Sequence, residues 1–185
     1  MNAYRFQQRG VTLIELLMSL IVLSVLLGIA APAFGSLLAS THMRSAQSQL
    51  SVALNEARIT AASRNANVIV CPSPDRQHCE RTTRWNTGWL VFLDRNRDGA
   101  HDAGEPVISL AQEQPKGLAI VSSVGRKLVT YRPDGSATGS NLTLTFCDRR
   151  GTAYASALIL NNAGRLRSGV PSKQAAATAC ALVDG

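Results

Sequence analysis

The chain is poor in the residues that perform catalysis. Its three histidines, His42, His78 and His101, are scattered, and no serine or cysteine stands in a nucleophile motif. Paired carboxylates occur only between Asp94 and Glu105, so the sequence argues against an enzyme and calls for no cofactor. Neither a C-x-x-C pair nor a nearby pair of histidines is present, which leaves little ground for zinc. Aromatic residues make up only 5% of the 185 positions, whereas Gly, Ser, Thr and Ala are common. That balance suits a small β-rich domain with many turns. There is no internal repeat and no long low-complexity tract, which excludes solenoids and disordered tails.

Acids are also scarce, 12 against 19 Lys and Arg, for a formal charge of +7. The excess is uneven. From Lys116 onward nine basic residues (Lys116, Arg126, Lys127, Arg132, Arg149, Arg150, Arg165, Arg167 and Lys173) face three acids (Asp134, Asp148 and Asp184), a local charge of +6. Such a half attracts polyanions, with DNA, lipopolysaccharide and anionic lipid as candidates.

What the chain has in abundance is one apolar run. Val11 to Ala31 is almost wholly hydrophobic, and 21 residues at the helical rise of ~1.5 Å span ~30 Å, the thickness of a bilayer core. Glu15 is the exception. An ionised carboxylate in hydrocarbon costs at least ~2.5 kcal/mol, so it calls for a partner, and a free amine is the obvious one. Two plainer readings compete. A secretory signal would show the same Arg5 and Arg9 with a small-residue site at Ala31-Pro32-Ala33 before Phe34, but would not place Glu15 in its apolar core. A signal anchor would keep Arg5 and Arg9 inside.

Residues 5 to 20, with Gly10, Val11 and Glu15 at their centre, closely resemble the type III signal of type IV pilins and pseudopilins. The resemblance implies that prepilin peptidase cuts after Gly10 and that Val11, where the family usually has Phe, becomes the methylated N-terminus. It also implies that Glu15 helps dock the subunit into a filament of major and minor pilins. Loss of the leader takes the charge from +7 to +5 by removing Arg5 and Arg9. The implied location is the inner membrane, single pass, then the cell surface in the pilus.

After the apolar run, Leu50, Ala53, Leu54, Ala57 and Ala61 recur at helical spacing among polar residues. The expected organisation is a leader at 1–10, an apolar half-helix at 11–35 with a bend near Pro32, an amphipathic half-helix at 36–66 and a β-rich head at 67–185. Short apolar runs at 67–71, 88–93, 107–110, 118–124, 127–131, 142–146 and 157–160, each bounded by Gly, Pro, Asn or Asp, read as antiparallel strands. The fold class expected is α+β, a single helix packed on two small sheets, with Trp89 and Phe92 in the core. Asn55-Glu56-Ala57-Arg58, Val68 to Pro72 and Gly88 to Asp94 resemble the FimT/GspH group of minor pilins and pseudopilins.

Four cysteines in an exported domain make disulfides the default, and Cys71–Cys79 with Cys147–Cys180 is the economical one of three connectivities. Asp94, Asn96, Asp98, Asp102 and Glu105 fit the ligand positions of a calcium loop, with Gly99 at its turn. Strands rather than helices flank it, however, and the resemblance makes it a hairpin loop whose Asp and Asn bond the backbone. Gly164-Arg165-Leu166-Arg167 in an extended segment puts two guanidinium groups ~7 Å apart on one face, suited to successive phosphates. This matches the GRxR signature of DNA-binding FimT-type pilins, which implies sequence-independent binding of double-stranded DNA in natural transformation. Arg149, Arg150 and Lys173 are candidate extensions of that patch, the alternative for the first two being that Asp148 partly neutralises its neighbours. The alternative is a structural minor pilin or type II secretion pseudopilin that primes filament assembly without touching DNA.

Overall fold

The computed structural model describes Gly10 and residues 12–183. By internal packing the chain divides into two units, Met1–Leu38 and Ala39–Gly185, with helix α1 (Leu13–Arg64) running through the boundary. A reciprocal cap opens α1. The Thr12 N–H and hydroxyl both donate to Glu15 Oε2, at 3.0 and 2.9 Å, and the Glu15 N–H donates back to Thr12 Oγ1 at 3.4 Å. Glu at the third helical position after a Thr cap satisfies amides that would otherwise have no partner. The helix continues through Gly28, Pro32 and Gly35. It ends where Asn65 turns left-handed (φ 49°) and the Ala66 N–H reaches the Ala61 carbonyl at 3.3 Å, a Schellman-type stop.

In the first unit the apolar side chains from Leu13 to Leu38 are exposed, and the helix contains a window long and apolar enough to cross a membrane with none of it buried. In the second unit one stripe of α1, Met43, Ala46, Leu50, Ala53, Leu54, Ala57 and Ala61, is buried. The alanines let two sheets approach the helix axis closely, and burial of Leu50 and Leu54 stabilises this packing by ~1.5–3 kcal/mol each.

Among the described residues there are eight strands, β1 (Asn67–Pro72), β2 (Trp89–Asp94), β3 (Val107–Ala111), β4 (Leu118–Ser122), β5 (Val129–Tyr131), β6 (Leu142–Asp148), β7 (Ser156–Leu160) and β8 (Leu166–Gly169). They form two four-stranded sheets, ordered β3-β2-β1-β5 and β4-β6-β7-β8, and every pairing is antiparallel. The inner faces of both sheets share one core with α1, including Trp85, Trp89, Tyr131 and Phe146. Both sheets are also covered behind, which is why β2 is apolar without alternation. Ile69, Cys71, Leu90 and Phe92 pack under Cys79 and Leu128, and Ala119 and Cys147 pack under Ala179 and Val183.

The expectation of a single helix is corrected by α2 (Lys173–Cys180), in the Ala-rich tail. Ser172 caps it by accepting the Ala175 N–H, Ala176 and Ala179 are buried, and the Cys147–Cys180 disulfide fastens its last residue to β6. A second disulfide joins Cys71 to Cys79, closing a short loop beside β1. The expected strands at 118–124 and 127–131 are shorter, because a turn with Arg126 N–H bonded to the Ser123 carbonyl occupies the residues between them.

Candidate nucleic-acid interface

The two arginines of the GRxR segment lie on the β7–β8 hairpin, at the open edge of the second sheet. Asn161 builds its turn. The Gly164 N–H donates to the Asn161 carbonyl, the Arg165 N–H to Asn161 Oδ1 at 2.9 Å, and the Asn161 N–H to the Arg165 carbonyl at 3.2 Å. Beyond the turn the register pairs Leu160 with Leu166 and Ile159 with Arg167. Leu166 packs against the main core, and Arg165 and Arg167 are exposed. Among the described residues neither guanidinium has an ion pair or hydrogen bond, so both charges remain available.

The hairpin is held from behind by residues far away in sequence. Arg58 of α1 donates through Nε to the Gly135 carbonyl at 2.9 Å and through Nη2 to the Ala163 carbonyl at 3.4 Å. The Ala137 N–H bonds the Asn162 carbonyl at 2.9 Å. Gly164 sits against this junction at φ 73°, where a Cβ would lie 2.1 Å from the Gly135 carbonyl oxygen. Its glycine character is therefore required by packing and by backbone conformation at once. The signature's own glycine was legible in the sequence; Arg58, whose partners lie 77 and 105 residues on, was not.

The other candidate cations divide. Arg150 is committed: its Nη2 lies 2.7 Å from Oδ2 of the buried Asp148, its Nε bonds both Asp148 oxygens, and its guanidinium stacks 4.8 Å over Tyr154. The hydrogen bond to Asp148 holds its pKa above the ordinary arginine value. Arg149 is exposed, with its side chain over Gly117. Both follow the Asp148 end of β6, six residues and ~20 Å along the sheet from the Leu142–Leu160–Leu166 row next to Arg165. The structure does not bring them to the GRxR edge. Lys173, exposed at the start of α2, follows β8 by four residues.

In the loop from Asp94 to Glu105 the carboxylates serve the backbone. Asp94 Oδ1 accepts the Arg97 N–H at 2.7 Å, Asp98 Oδ1 the Ala100 N–H, and the two Glu105 oxygens the N–H groups of Arg95 and Asp102. Asn96 Nδ2 bridges Asp98 and Asp102. Burial pushes the Asp94 carboxyl above its usual range. Among the described residues no group of three or more His, Cys, Asp or Glu is arranged to hold a metal ion. His101 ties the loop to the Cys71–Cys79 side through Nδ1 to the Gln77 carbonyl at 2.7 Å, and His78 contacts Asp75. Gly10 is exposed, and Val11 lies outside the described residues. Glu15 is engaged with Thr12 as described above.

A family model described as "Type II transport protein GspH" matches residues 46–164, and one described as "Prokaryotic N-terminal methylation motif" matches residues 5–31. The chain is 32% identical over 172 residues to the pilin-like protein PilA1 of Thermus thermophilus, covering 90% of this chain and 95% of that one. Its fold is similar to two crystal structures of the type IV minor pilin FimU of Pseudomonas aeruginosa, with TM-scores of 0.58 and 0.54 at 17% identity. These cover 76% and 74% of this chain and 96% and 98% of those.

Proposed function

The chain belongs to the GspH/FimT family of type IV minor pilins and pseudopilins, and from that premise we propose that it is a minor pilin that binds extracellular double-stranded DNA for uptake in natural transformation. The observation that supports this reading is the pair of exposed, unpartnered guanidinium groups at Arg165 and Arg167, presented outward from an open sheet edge by a hairpin fixed through Arg58 and Gly164. Arginine engages phosphate bidentately, and two on one strand face suit a sugar–phosphate backbone without reading bases. The match to the GspH family model runs over residues 46–164, so it takes in Gly164 and stops one residue before Arg165. Binding by one subunit is weak, on the order of 10⁻⁴ to 10⁻⁶ M at physiological salt, and several subunits on one filament supply avidity.

The N-terminal segment acts in assembly. Prepilin peptidase removes residues 1–10 at the inner membrane, Val11 is methylated, and the exposed apolar helix packs with those of other pilins. The Glu15 carboxylate exchanges its bond to Thr12 for a neighbouring terminal amine. Mass analysis of the mature chain should place its start at Val11; a start at Phe34 would remove the membrane segment and the filament role with it.

For the DNA role, R165A/R167A in the full chain should weaken binding of a duplex at least ~10-fold and lower the slope of log K against log salt by nearly 2, since each phosphate contact contributes ~0.9. An unchanged affinity and slope would leave the alternative, a structural minor pilin or secretion pseudopilin that contacts only other subunits.

A further inference from the structure

A groove lies between α2 and the outer face of the second sheet, with a volume of about 260 Å³ and a lining that includes Val121, Ser123, Thr143, Thr145, Gln174 and Thr178. Among the described residues no carboxylate lines it. Its floor carries unused polar groups. Thr145 lines this floor, and among the described residues the hydroxyls of Thr143 and Thr145 and the amide of Gln174 make no hydrogen bond to another protein group. Hydroxyl and amide groups that no protein group engages are open to water, and a ligand that supplies hydrogen-bond partners can take the place of that water.

The groove is in register with the arginines. Side chains directly opposite each other in adjacent strands share a sheet face, and Arg167 pairs with Ile159, which pairs with Thr143. The row extends to Ser123, whose N–H donates to the Thr143 carbonyl at 2.9 Å and whose Oγ accepts the Thr143 N–H at 3.3 Å. Two strand spacings, ~10 Å, therefore separate Arg167 from the groove floor on the same face. Lys173, exposed and without an ion pair among the described residues, stands next to Gln174 on the first turn of α2.

We propose that this groove is a second part of the DNA site, receiving the sugar–phosphate backbone of the strand whose neighbouring phosphates are held by Arg165 and Arg167. The inference rests on the DNA reading above and extends it. Neutral hydroxyl and amide groups between cations are the groups that contact phosphate and sugar without base preference. The groove is sized for a phosphate and its sugar rather than for a folded partner.

Gln174 gives a test by sign of charge. It is the second residue of α2, where a carboxylate favours the helix and an ammonium opposes it, so effects on folding and on anion binding run in opposite directions. With the full chain in detergent and a labelled blunt duplex, Q174E should bind ~3- to 10-fold more weakly while melting no lower than the parent. Q174K should bind more tightly and steepen the salt slope by about 0.9, one added phosphate contact. Hydrogen exchange with and without duplex should show protection at residues 121–124 and 172–178 as well as at 161–169. Parental affinity in both Gln174 variants, or protection confined to 161–169, overturns the groove while R165A/R167A still weakens binding. A silent R165A/R167A overturns the arginine reading instead, and the groove is then judged by the Gln174 pair and the exchange pattern alone.

Discussion

Gly164 carries two separate constraints, and single substitutions separate them. Its φ of 73° is unfavourable for any side chain, by ~1–2 kcal/mol for a left-handed alanine, and a Cβ there would collide with the Gly135 carbonyl. Gly99 has a similar φ of 78° but open space around its Cα. G99A should therefore lose only the conformational part, whereas G164A should lose that plus whatever is needed to move the hairpin off Gly135. Chemical denaturation of the full chain should give a clearly larger drop in midpoint for G164A; equal losses would mean that the junction yields easily. At this scale the sequence was most legible where chemistry is local. Arg165 and Arg167 read as an exposed pair flanking an inward Leu166, as they are in the structure, and the Asp and Asn positions of the 94–105 loop read as turn bonds. It was least legible where a partner comes from far along the chain, as with Arg58 bonding the Gly135 and Ala163 carbonyls 77 and 105 residues away.

Elements differ in how far their own sequence specifies them. The buried stripe of α1 was visible as Leu50, Ala53, Leu54, Ala57 and Ala61 because long helices repeat their pattern several times. Helix α2 was not visible, since eight residues form no stable helix by propensity and its order comes from the Ser172 cap, the burial of Ala176 and Ala179, and a disulfide. The β7–β8 hairpin is a third case, a local turn whose orientation is set by α1 through Arg58. R58M keeps the aliphatic stem and removes both bonds to the Gly135 and Ala163 carbonyls. The hairpin should then sample more orientations, so duplex affinity falls several-fold while the salt slope stays at the parental value, because no phosphate contact has been deleted. Faster amide exchange at Gly164 should accompany it. A reduced slope would instead make Arg58 itself a phosphate contact.

For the molecule as a whole, the two disulfides enclose very different lengths of chain. Cys71–Cys79 closes 8 residues beside the first sheet, whereas Cys147–Cys180 closes 33 that include β7, β8 and both exposed arginines. In the chain-entropy account the longer loop restricts the unfolded ensemble more, ~3–4 kcal/mol against ~2–3. The packing points the same way, because Cys147 and Ala179 form one of the small clusters that hold α2 on the sheet. C147A/C180A should therefore lower the melting temperature more than C71A/C79A. The first bridge lies behind the sheet that does not carry the hairpin, so its loss should leave duplex binding near the parental value. Loss of the second frees α2 and the segment leading to it from Gly169, and duplex binding should weaken with it. If both variants bind duplex equally well at a temperature where both remain folded, the order of the C-terminal segment has no part in recognition, and the contribution of α2 is confined to stability.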